Sequence, residues 1–164
     1  MRSFDINADA GESFGRWILG SDAELLSLVS TVNIACGFHA GDPANMRKAV
    51  ILARDAGVAV GAHPGYPDLL GFGRRRLAVS DDDVVDYILY QTGALAAIAA
   101  TEGVRLTHMK PHGALYGQVA SSPELALRVA RALGAVQPGL SLMTAAGAAG
   151  RAVRAEGLPV VFDA

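Results

Sequence analysis

With 164 residues, 51% apolar and 18% charged, the chain has the composition of one folded domain large enough to bury a core. A net charge of −2 and a pI near 6.0 give no electrostatic reason to expect nucleic acid or an anionic membrane surface as a partner, since the only basic cluster is Arg74–Arg76. The single cysteine, Cys36, excludes an intrachain disulfide framework.

The N-terminus, MRSFDINADAGE, carries a carboxylate by residue 5 and has no apolar stretch of the signal-peptide kind. The longest unbroken apolar run, Gly93–Ala100, is too short for a bilayer span. The expected location is the reducing cytoplasm.

Short apolar runs then alternate with longer helical patterns. A strand is predicted near 2–8, followed by a helix near 22–29, where Ser21 and Glu24 have capping-box spacing. A second strand near 31–35 leads to a helix near 43–56. Asp42 precedes Pro43 there as a cap, and Met46, Ala49, Val50 and Ala53 form its apolar stripe. A third strand near 58–62 precedes a helix near 81–102. That helix opens on Ser80 and Asp83, with a stripe through Val85, Ile88, Leu89, Thr92, Ala96 and Ala99. Strands near 104–109, 140–144 and 159–162 alternate with helices near 123–133 and 147–156, the first of these opening on Ser122–Pro123. Gly57, Gly103, Gly134 and Gly157 follow helical runs and suit left-handed stops.

Strand–helix–strand alternation implies a parallel α/β sheet, because parallel strands need a crossover. No Gly-rich dinucleotide fingerprint follows the first strand. An open doubly wound sheet and a β/α barrel both fit this pattern, and the polar residues decide for the barrel.

Those residues collect at the strand ends. The first predicted strand leads into Asp5, Asn7, Asp9 and Glu12, and the second into Asn33, Cys36, His39 and Asp42. The third leads into His63-Pro64-Gly65-Tyr66-Pro67-Asp68, and the fourth into Lys110-Pro111-His112-Gly113. In a parallel barrel these ends share one rim, where loops build active sites. Asp42 reads first as a helix cap. Cys36 reads equally as a small core residue or a nucleophile, and His108 equally as a packed or a functional histidine.

Two chemistries fit Asp9, Glu12, His39, His63, Lys110 and His112. Carboxylate and histidines can hold a divalent metal that polarises a carbonyl or activates water. Alternatively a carboxylate serves as general base while lysine stabilises an oxyanion. Both hydrolyse an amide or ester-like bond.

The blocks DINADAGESFG, NIACGFHAGDP, GAHPGYPDLLGFGRR and MKPHGALY, running from residue 5 to residue 116, resemble the family of the 5-oxoprolinase A subunit, also called LamB/YcsF. The resemblance implies a distorted TIM barrel of the glycoside hydrolase/deacetylase superfamily. It implies ATP-dependent opening of 5-oxoproline (pyroglutamate) to L-glutamate, with partner subunits B and C. With no GxxxxGK[ST] loop in this chain, ATP and its Mg2+ are expected mainly on those partners.

On strand-end placement, Asp9, Glu12, Lys110 and His112 are the expected catalytic residues. Asn7, Asn33, His39, His63 and Arg74 are expected to bind substrate, and a bound divalent metal would fall to Asp9, His39 and His63. The rival expectations are a stand-alone metal-dependent deacetylase or amidohydrolase and a subunit that binds without catalysis. Formation of a homo-oligomer is compatible with either.

A complete barrel of this kind needs roughly 250 residues. The chain is therefore expected to be a single barrel-like domain over 1–164 that stops after its sixth strand and lacks the C-terminal part of the barrel.

Overall fold

The computed structural model describes residues 5–163. Twelve elements alternate along it. They are β1 (Asn7–Ala10), α1 (Asp22–Leu26), β2 (Thr31–Ala35), α2 (Pro43–Asp55), β3 (Ala59–His63), α3 (Asp81–Thr101), β4 (His108–Met109), α4 (Gly113–Ser121), α5 (Pro123–Val136), β5 (Ser141–Ala145), α6 (Ala148–Ala155) and β6 (Val160–Asp163).

All five strand pairings are parallel, and the strands lie in sequence order from β1 to β6. A doubly wound sheet reverses its strand order at a switch point, whereas this one never does, so it curls as a half-barrel. The expected β/α barrel architecture is therefore present.

The two sheet faces differ in chemistry. Val32, Ile34, Val60, Ala62 and Met109 pack outward into the core under the helices, at 0–1% exposure. The alternate positions, Asn7, Asp9, Asn33, His63 and His108, lie on the concave face, because successive strand residues point to opposite sides.

Helix starts follow the sequence closely. Asp42 caps α2 by accepting from the Ala44 and Asn45 amides at 2.8 and 3.0 Å, and its second oxygen takes the Gly15 amide at 2.8 Å. Ser80 and Asp83 form the reciprocal capping box of α3, and Ser122 caps α5 through the Leu125 amide. Ser21 does sit at the start of α1, but its side chain makes no capping bond, and that helix has only five residues.

Several boundaries differ from expectation. The described part of the first strand begins at Asn7, and residues 2–4 of its predicted span lie outside the described residues. The fourth strand contracts to His108–Met109: residues 104–106 have no backbone bond to a neighbouring strand, and such bonds begin at Thr107, which donates to the Val60 carbonyl at 2.8 Å. Gly134 lies inside α5, which continues to Val136 because Leu133 is still anchored in the core. Gly57, Gly103 and Gly157 do take left-handed stops, at φ of 69–71°.

Helix α4 was not legible as one. Its GALYGQVAS segment contains two glycines, which lower helix propensity, and packing of Leu115 and Val119 overrides that. The α3 stripe is rotated by about one residue from the predicted one: Val84, Ile88, Gln91, Leu95 and Ala99 are the fully buried set, with Thr92. Among the described residues α3 is also the one helix long and apolar enough to cross a membrane by length and composition, despite its short unbroken apolar run. Here its apolar face lies against β3 and α5.

Substituting Asp42→Ala removes the α2 cap and the tie to Gly15. We expect a loss of roughly 1–2 kcal/mol, read as a lower urea midpoint with an unchanged slope.

Candidate active site

Strand register sets the first layer of the site. Asp9 pairs laterally with Asn33, Asn33 with Gly61, and Gly61 with His108, so these four form one row across β1–β4. Adjacent strands lie about 4.8 Å apart, which puts β2 and β4 nearly 10 Å from each other. Gly61 has no side chain, so the His108 ring lies over it and donates from Nε2 to Asn33 Oδ1 at 2.6 Å. A Cβ at Gly61 would fall within that ring.

Asn33 is wholly buried, and its amide is consumed. Its NH2 donates to Asn7 Oδ1 at 2.6 Å and Asp9 Oδ1 at 2.8 Å, and its oxygen also accepts from Asn7 at 3.1 Å. Asn33 therefore holds Asp9 rather than facing a ligand, and His108 orients Asn33. Asn7 lies between Asn33, Thr31 and Lys110.

A second layer sits above this row. His39, His63 and His112 are buried at 1–2% exposure, and Glu12 is partly exposed beside them. The His39 ring stacks on His112 with centroids 3.8 Å apart, and His63 stands edge-on to both. His63 Nε2 is 3.3 Å from Asp9 Oδ1, and His39 Nε2 is 3.7 Å from Glu12 Oε1.

Glycines make room for these rings. A Cβ at Gly65 or at Gly73 would strike His39, and one at Gly73 would also crowd His112. Gln91 of α3 clamps Gly65 from both sides, accepting from its amide and donating to its carbonyl. Phe72 adopts a left-handed φ of 53° and aims its carbonyl at His112.

Lys110 pairs with Asp163 at 3.1 Å, and Tyr116 donates to the same carboxylate at 2.8 Å. A cleft of about 310 Å³ opens here, lined by Asp9, His63, Arg74, Lys110, His112 and Asp163 among others. A larger hollow of about 550 Å³ beside α4 shares Arg74 but contains none of the strand-end acids or histidines, so the smaller cleft is the chemical one.

Electrostatics divide the groups. Burial pushes the Asp9 carboxyl upward, but His63, the Asn33 amide and Lys110 outweigh it and hold Asp9 well below the usual carboxylate range. Glu12 is raised, chiefly by burial. Burial lowers His39 to about 3, His108 to about 4 and His112 to about 4, so all three are neutral near pH 7. Burial likewise pushes the Cys36 thiol up to about 12, with Sγ against the Ile34 carbonyl; it is a core residue and no nucleophile.

Asp9, Glu12, His39, His63, Lys110 and His112 therefore converge, as do Asn7 and Asn33 beneath them, with Arg74 on the cleft wall. Arg75 instead forms an ion pair with Asp68 that shapes the loop after β3. The exposed Asp5 carboxylate takes the Ser30 hydroxyl, away from the cleft. Asp163 and Tyr116 are additions. Asp163 ends β6 and obeys the same strand-end rule as the others; Tyr116 lies on α4, a helix the sequence concealed.

The LamB/YcsF family model matches residues 4–164. A protein of Bacillus cereus, named as the A subunit of 5-oxoprolinase, is 54% identical over 142 residues, 87% of this chain and 56% of its own length. A protein of the same name from Geobacillus kaustophilus is 55% identical over 156 residues, 93% of this chain and 60% of its own. The crystal structure of a lactam utilization protein from Thermus thermophilus superposes with a TM-score of 0.93 at 49% identity, covering 99% of this chain and 66% of that one. The chain thus spans somewhat over half the length of these curated relatives.

Substituting Gly61→Ala displaces His108 and releases Asn33 from its fixed orientation. We expect a loss of about 1–3 kcal/mol in unfolding free energy. Carboxyl NMR should show the Asp9 titration moving up, as the Asn33 donor that lowers it is freed.

Proposed function

The chain belongs to the LamB/YcsF family, and we propose that it is the component of an ATP-dependent 5-oxoprolinase that completes hydrolysis of the 5-oxoproline lactam to L-glutamate. The observation that carries this reading is the convergence of an ionised Asp9, Lys110 and the His63–His112 pair on one small polar cleft. The names of the B. cereus and G. kaustophilus relatives, and of the T. thermophilus protein, support the lactam as substrate.

In this reading the cleft receives the lactam after ATP at the partner subunits has phosphorylated its carbonyl oxygen, with that oxygen toward Lys110, whose ammonium stabilises the negative charge there as water adds to the carbon. Asp9 or Glu12 takes the proton of the attacking water. The C–N bond then breaks, and the departing nitrogen receives a proton from the same acid–base set. His63 and His112 line the cleft beside the reacting bond, and Arg74 on its wall supplies a positive partner for the substrate carboxylate.

A five-membered lactam is a stabilised amide, so coupling to phosphoryl transfer supplies the drive: C–N cleavage of the O-phosphorylated adduct leaves an acyl phosphate, which a second water hydrolyses to glutamate and inorganic phosphate. Without a P-loop in this chain, nucleotide and Mg2+ fall to the partner subunits B and C. The grouping of Glu12 with His39, His63 and His112 favours a second reading, a metal-dependent amidohydrolase acting alone. That enzyme would need neither ATP nor partners.

The test is glutamate release from 5-oxoproline with purified B and C subunits, with and without ATP. ATP-dependent release with all three chains supports the proposal, and release by this chain alone without ATP supports the second reading. Asp9→Asn should lower turnover at least about 100-fold while the far-UV spectrum stays unchanged. Full activity in that variant removes Asp9 from the mechanism.

A further inference from the structure

Backbone carbonyls accept hydrogen bonds and never donate them, which fixes two ring protons in the histidine layer. His63 Nδ1 donates to the Lys110 carbonyl at 2.7 Å, and His112 Nε2 donates to the Phe72 carbonyl at 2.7 Å. Wherever these rings carry no second proton, the other nitrogens, His63 Nε2 and His112 Nδ1, present lone pairs. These two face each other 3.0 Å apart with the rings at 87°. Two lone pairs at that separation repel unless a proton or a metal ion joins them.

Both outer N–H groups are anchored on carbonyls, the arrangement that orients metal-bound imidazoles. His39, 1% exposed, has no hydrogen-bond partner at either ring nitrogen, which is costly for a buried polar ring. One ligand atom each from Glu12, His39, His63 and His112 falls within a 4.8 Å cluster.

We propose that Glu12, His63 and His112 bind one divalent first-row transition-metal ion, with His39 as the fourth ligand. Three imidazoles and a carboxylate are the donor set of Zn2+ and its neighbours. In a tetrahedral site, bonds of about 2.0–2.2 Å set ligand atoms roughly 3.3–3.6 Å apart, so the widest gaps of the cluster close by more than about 1 Å when the ion binds. His39 lies parallel to His112 at 3°. Parallel rings do not aim their lone pairs at one point, so His39 joins by turning about its Cβ–Cγ bond, which no hydrogen bond restrains.

This set revises the expected ligands. Asp9 leaves it because its Oδ1 already accepts from Asn33 at 2.8 Å, although it stands 3.3 Å from His63 Nε2, whereas Glu12 and His112 enter. The inference goes beyond the proposed reaction and can fail without it, since occupancy is read on this chain without substrate, ATP or partners.

The experiment titrates the 164-residue chain with Co2+ and follows the visible d–d absorption. The expected result is a saturable band at one ion per chain, displaced by Zn2+. Glu12→Gln and His112→Phe should each lose the band, with folding checked by far-UV circular dichroism, while Asp9→Asn keeps it. Glu12 is at the surface of the cluster, so its variant tests the site even where His112→Phe does not fold. Absence of a saturable band overturns the proposal, as does a band that persists in Glu12→Gln or vanishes in Asp9→Asn. So does 15N NMR at neutral pH showing both ring protons on His63 and no Co2+ broadening of its signals, because the gap is then bridged by a proton.

Discussion

The site depends on a hydrogen bond that crosses a strand. His108 on β4 reaches Asn33 on β2 only because β3 presents Gly61 between them. Asn33 then has both its oxygen and its NH2 committed, and the NH2 holds Asp9 on the edge of the cleft. A buried amide with a free rotamer would present oxygen and nitrogen to Asp9 interchangeably. Here the donor end faces the carboxylate, which helps keep that carboxylate ionised.

The same device is repeated one layer up. Gly65 and Gly73 leave space for His39, as Gly61 does for His108, and Gln91 on a crossover helix fixes the loop that carries Gly65. The concave face of the half-barrel is thus lined by closely packed polar rings. Such packing tolerates polar groups only when each is partnered, and among the described side chains the unpartnered buried nitrogens are both on His39. That exception stands where Glu12, His63 and His112 converge, which is why the ion-binding inference centres there.

Separating the two carboxylates gives the cleft two distinct electrostatic characters. Asp9, tied to His63 and Asn33 and near Lys110, stays anionic, while Glu12, partly buried with fewer donors, is raised. Lys110 is shared between Asn7 and Asp163, so the sixth strand closes the charge pattern begun by the first.

Much of this was determined by the sequence itself. Capping residues at Asp42, Ser80 and Ser122 and left-handed glycines at 57, 103 and 157 marked helix ends, since these signals act within a few residues. Polar residues at successive strand ends marked the rim, because a parallel α/β chain delivers them to one side. Local signals failed where packing outweighed propensity, as in α4, in Gly134 within α5, and in the one-residue rotation of the α3 face. Only the tertiary structure decided that Asn33 and His108 position rather than bind, that Asp163 and Tyr116 reach Lys110, and that Glu12 and His112 join His39 and His63. Those relations depend on strand register and on which glycine lies beneath which ring, with Asn7 and Asn33 separated by 26 residues and Asn33 and His108 by 75. No local preference along the chain encodes contacts at that range.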